Sequence, residues 1–220
     1  MKIILTGATG MVGEGVLHEC INEPSVDTIL VLTRKPTGII HPKIAEIIHA
    51  DFFNLEPIAG KLAGYDACLF CLGVSSVGMK EETYTKFTYT LTLHAASIFA
   101  RENPSMIFCY ISGSGTDSTE QGRVMWARVK GKTENDLQKL PFKAVYNFRP
   151  GYMQPTKGLK NTLGFYKWFS WTYPLLRILF PNKTSTLKQL GLAMIYVAKH
   201  GYEKRILEVN DIVKLAAIQN

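Results

Sequence analysis

Cysteine is sparse in this chain, with four among 220 residues, which fits a reducing compartment better than a disulfide-stapled scaffold. Two of the four stand as Cys68-Leu-Phe-Cys71, a spacing that invites a metal or redox reading. They lie in the apolar run Ala67 to Leu72, where strand alternation sends residues three apart to opposite faces. Buried structural thiols are expected there, not a metal pair. Histidine is hardly richer, at five residues. His18 and His94 fall in expected helices, His49 at a strand end, and His41 and His200 near loops, with no zinc-site spacing among them. No metal centre is expected.

Other classes fall away similarly. No linker rich in Ser, Gly or Pro and no internal repeat divides the chain, and 46% hydrophobic content is ample for one core, so a single domain over 1–220 is expected. The first strand runs at once into glycines, without a signal-peptide pattern, and a cytoplasmic location follows as the expectation. The net charge of +7 is spread along the chain without an arginine-rich block, so no nucleic-acid partner is expected. One stretch, Leu163 to Phe180, crowds Phe165, Tyr166, Trp168, Phe169, Trp171 and Tyr173 together. Lys167, Pro174 and Arg177 interrupt it, and each basic residue costs roughly 2.5–3.5 kcal/mol at a bilayer centre. No transmembrane segment is expected. The stretch reads as a substrate-pocket lid, within a segment of roughly 152–185, or as a surface for a homodimer or protein partner. Core packing and an interfacial membrane helix are the alternatives.

What the chain does have is concentrated in its first thirteen residues. Lys2 to Thr6 is a short apolar run, Gly7, Gly10 and Gly13 follow at spacings of three, and Met11 to Ile21 shows helical periodicity. A glycine at the tight turn needs no Cβ, a second lets backbone N–H groups approach a pyrophosphate, and a third lets the helix pack close on the strand. The helix start then offers unpaired donors and a positive dipole end to phosphates. Thr28 to Leu32 follows at the distance of a βαβ unit.

Further strands are expected at Glu46 to His49, Asp66 to Leu72, Ser105 to Ser112 and Lys143 to Phe148, with Arg205 to Val209 as a last one. Long helices are expected at Glu81 to Glu102, Thr119 to Leu140 and Thr186 to His200, and Asp211 can cap a final short helix. Pro36, Gly38 and Pro42 make Arg34 to Ala45 a loop or a very short helix. This rhythm is that of a doubly wound parallel α/β sheet, which binds ligands at the carboxyl ends of its strands. At one such end, Thr33-Arg34-Lys35 offers two cations where an NAD-specific protein would place a carboxylate. They favour a 2′-phosphate, the alternative being a solvated basic loop.

The opening Thr-Gly-x-x-Gly-x-x-Gly resembles the short-chain dehydrogenase/reductase superfamily, in a compact, atypical form. The chain is similar to the Tat-interacting oxidoreductase-like group and to epimerase/dehydratase-like proteins over most of its length. The resemblance implies a Rossmann fold binding NADP(H) in preference, with NAD(H) possible, and a small-molecule substrate. It implies that Gly7, Thr9, Gly10, Met11, Val12 and Gly13 hold the pyrophosphate and that Asp51-Phe52 meets the adenine, although Asp51 could equally cap the following helix. Cys71-Leu72-Gly73 and Arg149-Pro150-Gly151 then line the turns beside the dinucleotide. The superfamily's catalytic Tyr-x-x-x-Lys matches Trp126-Ala-Arg-Val-Lys130 here. Lys130 can still meet the cofactor ribose, but an indole N–H does not ionise in the useful range. Trp126 is expected to close one wall of the nicotinamide pocket. Ser112 or Ser114 matches the serine that orients a carbonyl, with Tyr84, Tyr110 and Tyr152 as substitute hydroxyls. Two functions follow: a reductase or epimerase of a small carbonyl or sugar-like substrate, or a catalytically impaired NADPH sensor or scaffold.

Overall fold

A computed structural model describes residues 1–161 and 173–219. Seven parallel strands form its sheet: β1 (Lys2–Thr6), β2 (Thr28–Thr33), β3 (Ile44–Ile48), β4 (Ala67–Phe70), β5 (Ile107–Ile111), β6 (Ala144–Arg149) and β9 (Ile206–Glu208), in the order β3-β2-β1-β4-β5-β6-β9. The central strands are apolar throughout because both faces are covered. Ile3 and Leu5 face one side with α1 (Met11–Asn22), α6 (Leu187–His200) and α7 (Val209–Gln219). Ile4 faces the other, against a 3₁₀ turn (Glu56–Leu62), α3 (Leu91–Glu102) and α4 (Met125–Leu137). Phe108 from β5 stacks on Phe142 at 4.9 Å on this second side. This is the doubly wound parallel fold expected of the sequence. From β1 the chain winds outward through β2 and β3, then returns across β1 to β4. That reversal opens a crevice at the carboxyl ends of β1 and β4, where such sheets bind ligands.

The cysteines follow the alternation argument. Cys68 lies in one core, whereas Cys71 packs against the other, with Cys20 and Cys109. Burial pushes all four thiols up; Cys20, Cys68 and Cys109 are buried, and Cys71 is half-buried.

Several boundaries differ from expectation for local reasons. The helix placed from Thr119 begins at Met125, because the Asp117 carboxylate accepts the Thr119 amide (3.0 Å), the Thr119 hydroxyl (2.6 Å) and the Gly122 amide (2.7 Å). Such side-chain bonds offer the backbone an alternative to helix. The helix expected over Glu81 to Glu102 is α2 (Glu81–Thr85), a π turn (Lys86–Thr90) and α3. The third strand covers Ile44–Ile48 instead of beginning at Glu46. Residues 34–43 form a loop, as their prolines require. Asp211 accepts the Glu208 amide at 3.2 Å before a final helix of 11 residues, longer than anticipated. A small parallel pair, β7 (Tyr152–Gln154) with β8 (Thr184–Thr186), was not legible in the sequence. Much of the aromatic stretch from Leu163 lies outside the described residues; Tyr173–Leu179 forms a short helix, α5. Among the described residues no helix is long and apolar enough to cross a membrane.

The glycines of the first turn are not equivalent. A Cβ on Gly13 would lie 2.1 Å from the Gly7 carbonyl oxygen, whereas one on Gly10 meets only that oxygen, at 3.4 Å. Gly13→Ala is therefore expected to cost ~3 kcal/mol or more, lowering Tm by ~6–12 °C in a thermal melt, while Gly10→Val keeps a folded sheet and loses cofactor binding.

Candidate functional site

The site starts at the β1–α1 turn. Gly7 adopts φ +75°, and a Cβ there would sit 2.6 Å from the Cys71 carbonyl. Only glycine lets the turn touch the end of β4 in this way. Gly10 donates to the Gly7 carbonyl at 2.9 Å and occupies the helix cap position, with no side chain capping the helix. The donors of the first turn are thus left open to an anion. Glu14, in that same turn and buried, accepts the Lys160 and Asn161 amides at 2.8 and 2.7 Å, tying the 160–161 backbone onto α1.

One cavity opens at this turn and a second lies beyond it. The first, of 320 Å³, is lined by Gly10, Met11, Val12 and Cys71 on one side and by Ser112, Lys130, Pro150 and Met153 on the other. The second, of 190 Å³, is lined by Arg34, Asp51, Phe52, Phe53, Phe87 and Leu91. Leu72, Gly73 and Val74 line both, so the two form one groove along the carboxyl ends of β1, β2, β4 and β5. A Cβ on Gly73 would meet nothing within 4 Å, and it would project into open space there. A cradle of open glycines, an uncapped helix start and a cation toward each end fits a dinucleotide.

Most of the residues expected to hold a cofactor come together here, and some do not. Thr9 is exposed and lines neither cavity. Arg34 lines the second cavity; Lys35 does not, and its backbone is engaged with Thr33, its carbonyl accepting the Thr33 hydroxyl at 2.8 Å and its amide donating to that oxygen at 3.4 Å. Asp51 turns its carboxylate to the Phe53 amide at 2.9 Å, so it caps its own turn and not the 3₁₀ helix that Leu55 precedes. Phe52 borders the second cavity with its ring nearly buried in the core. Phe53, set edge-on to Phe87 at 5.8 Å, supplies the aromatic surface that sequence reasoning had not found. Gly151 faces away from the groove: a Cβ there would lie 2.1 Å from the Lys183 carbonyl. Its role is close packing of two turns, while Pro150 lines the cavity.

The second half of the site is built around a buried carboxylate absent from the sequence reading. Glu134 is 1% exposed and accepts from the Ser112 hydroxyl and from Arg149, whose Nε lies at 3.0 Å. Arg149 also donates to Ser118 Oγ at 2.6 Å and to Glu208 Oε1 at 3.3 Å. A buried charge pair of this kind holds only with its hydrogen bonds complete. The Ser112 hydroxyl proton is thereby directed to Glu134 and not into the cavity, which corrects its expected role. Ser114, half-buried, is fixed by its amide donating to the Pro150 carbonyl at 2.9 Å, and unlike Ser112 it does not line the cavity.

Lys130 lies one helical turn before Glu134, and its ammonium donates to the carbonyls of Ser112 and Ile111 at the end of β5. Burial lowers its pKa to about 8, against the pull of Glu134, which favours the charged form. Trp126 does not wall the cavity. Its indole packs on the Gly113–Gly115 loop, 3.5 Å from where a Gly115 Cβ would stand. Tyr84 and Tyr110 are enclosed in the core, where burial pushes both phenols up. Tyr152 is tilted against Tyr173 at 6.2 Å. None of the three lines the cavity. Among the described residues no cluster could hold a metal ion.

No protein-family model matches the chain. It is 25% identical over 231 residues to the mitochondrial protein FMP52 of Candida albicans, covering 98% of each. It is 32% identical over 144 residues to the leucinostatins biosynthesis cluster protein T of Purpureocillium lilacinum, a match of 64% of this chain and 52% of that protein, about half its length. Rat protein HTATIP2 is 22% identical over 154 residues, covering 69% of this chain and 62% of its own. Among solved structures, a Burkholderia thailandensis oxidoreductase of the short-chain dehydrogenase/reductase family superposes with TM-score 0.71 at 12% identity, over 94% and 90% of the two chains. MoeE5 in complex with UDP-glucose and NAD superposes at 0.66 and 14% identity, over 99% and 81%. With this groove on a seven-stranded parallel sheet, the chain has the Rossmann fold of the short-chain dehydrogenase/reductase and sugar-nucleotide structures it superposes on, and its sequence is similar to the HTATIP2 and FMP52 proteins.

Proposed function

We propose that the protein is an NADP(H)-dependent reductase or epimerase of a small carbonyl or sugar-like substrate. The observation that carries this reading is the continuous groove with Arg34 at one end and Lys130 toward the other. When bound, a nicotinamide dinucleotide supplies or accepts a hydride. The chain's own residues do the remainder. Gly10 and the open helix start take the pyrophosphate, Arg34 takes the 2′-phosphate, and Lys130 holds the ribose. Ser112 borders the substrate side, which the 152–185 segment closes within a one-domain chain. MoeE5, a fold relative, was solved with a sugar nucleotide, in keeping with a sugar-like substrate. The reading places the protein in the cytoplasm; cell fractionation tests this against the mitochondrial naming of the Candida relative.

The competing reading, an NADPH sensor or scaffold acting through the 163–180 surface or a homodimer, draws on Trp126 and on the commitment of Ser112 to Glu134. Turnover decides between them. Replacing Trp126 by Tyr restores an ionisable hydroxyl four residues before Lys130, and reductase activity on a carbonyl panel should rise by ~10²-fold, the lower end of general-acid contributions. Tight NADPH binding with no consumption in either protein selects the sensor reading.

Cofactor choice is read by calorimetry. NADPH should bind ~10- to 150-fold more tightly than NADH, the equivalent of one charge-assisted bond, and Arg34→Ala should abolish the difference. Equal affinities in the parent protein overturn the assignment.

The lysine gives a pH dependence of fixed sign. Below pH 8 the free protein carries the Lys130 ammonium, and above it the neutral amine. NADPH affinity should therefore fall by up to ~10-fold between pH 7 and pH 9. In Lys130→Arg, whose guanidinium keeps its proton, the profile should be flat over that interval.

A further inference from the structure

At the end of α5 the chain exposes two large apolar side chains in succession, Leu179 at 58% and Phe180 at 54%. The following turn, Pro181–Lys183, packs against α7. Between them opens a cavity of 300 Å³ lined by Arg177, Pro181, Thr184, Gln189, Asn210 and Lys214. Arg177, Lys183 and Lys214 are all exposed, and none forms an ion pair among the described residues. The neighbouring carboxylates are committed elsewhere. Glu208 pairs with Arg149, and Asp211 with Lys204. The result is an apolar tip surrounded by uncompensated positive charge.

Long cations around a small apolar protrusion suit a lipid surface better than a protein one. A stable protein interface needs on the order of 1,000 Å² of fitted surface, which a two-residue tip does not provide. A bilayer imposes no such fit. It accepts aromatic and aliphatic side chains at the boundary between headgroups and acyl chains, while lysine and arginine reach lipid phosphates from the same side. We propose that this surface docks the protein on an anionic membrane, with Leu179 and Phe180 entering the interface and Arg177, Lys183 and Lys214 held at the phosphates. The docking surface adjoins the groove, because Gly151, beside the cavity-lining Pro150, packs directly on the Lys183 backbone.

Co-sedimentation of the full chain with vesicles tests the proposal. Vesicles of phosphatidylcholine mixed equally with phosphatidylserine should pellet the protein, and phosphatidylcholine alone should not. Each cation near such a surface contributes about fivefold, so Arg177→Gln with Lys214→Gln should lower partitioning by ~25-fold. Arg177→Lys, which keeps the charge, should retain binding, and Phe180→Ser should weaken it on anionic vesicles. All three positions are exposed, and matching thermal melts confirm that the variants fold. Equal pelleting by both lipid mixtures, no pelleting by either, or an unchanged partition in the double variant overturns the proposal. So does a dimer in sedimentation velocity that Phe180→Ser converts to monomer, which assigns the surface to a second copy.

Discussion

Three stretches of backbone meet with no side chain between them: the β1–α1 turn, the start of α1 and the end of β4. The Gly13 position lies against the Gly7 carbonyl, and Gly7 against the Cys71 peptide. Everything functional hangs on that approach. It sets the distance between α1 and the sheet, leaves Gly10 facing open space, and brings the Leu72–Val74 segment alongside to join the two cavities. A methyl group at either contact would push the helix off the strand and close the groove from below.

The opposite wall depends on charge instead of glycine. Glu134 and Arg149 are nearly inaccessible to water, and their ion pair links α4 to the ends of β6 and β9. Lys130 is mounted one turn away on the same helix, and its ammonium is held by the carbonyls of β5. The wall is thus a cross-braced corner in which a buried anion balances two cations. Removing one member of such a set leaves an uncompensated charge, which is more costly than deleting the set as a whole.

The sheet, its order of elements and the glycine turn were legible because they are written in short-range patterns: apolar runs, helical periodicity and glycine spacing. Helix starts were less so. Asp117 competes locally for the residues expected to open α4, and nothing in the periodicity there announces it. The site was half legible. Gly10, Gly73 and Arg34 line the groove as their positions after strands imply, and Lys130 lines it from α4. Ser112 was misread because its partner, Glu134, lies 22 residues on and is paired in turn with an arginine 15 residues beyond. Glu134 does stand four residues after Lys130 on one helical face, a visible clue, but a helical glutamate ordinarily points to solvent. Phe53 and Phe87 meet only through tertiary packing.

Glu14 changes what the opening of the groove can hold. Its carboxylate sits in the first turn of α1, and the amides of residues 160 and 161 are bonded to it. An anion built into the positive end of a helix offsets part of that end's attraction for phosphate. The doorway alone is therefore a weak phosphate trap, and firm retention requires a molecule long enough to reach a cation beyond it. In the proposed reading the groove would measure its ligand by length: a dinucleotide would reach from Arg34 to Lys130, while free phosphate or a mononucleotide would engage one end only.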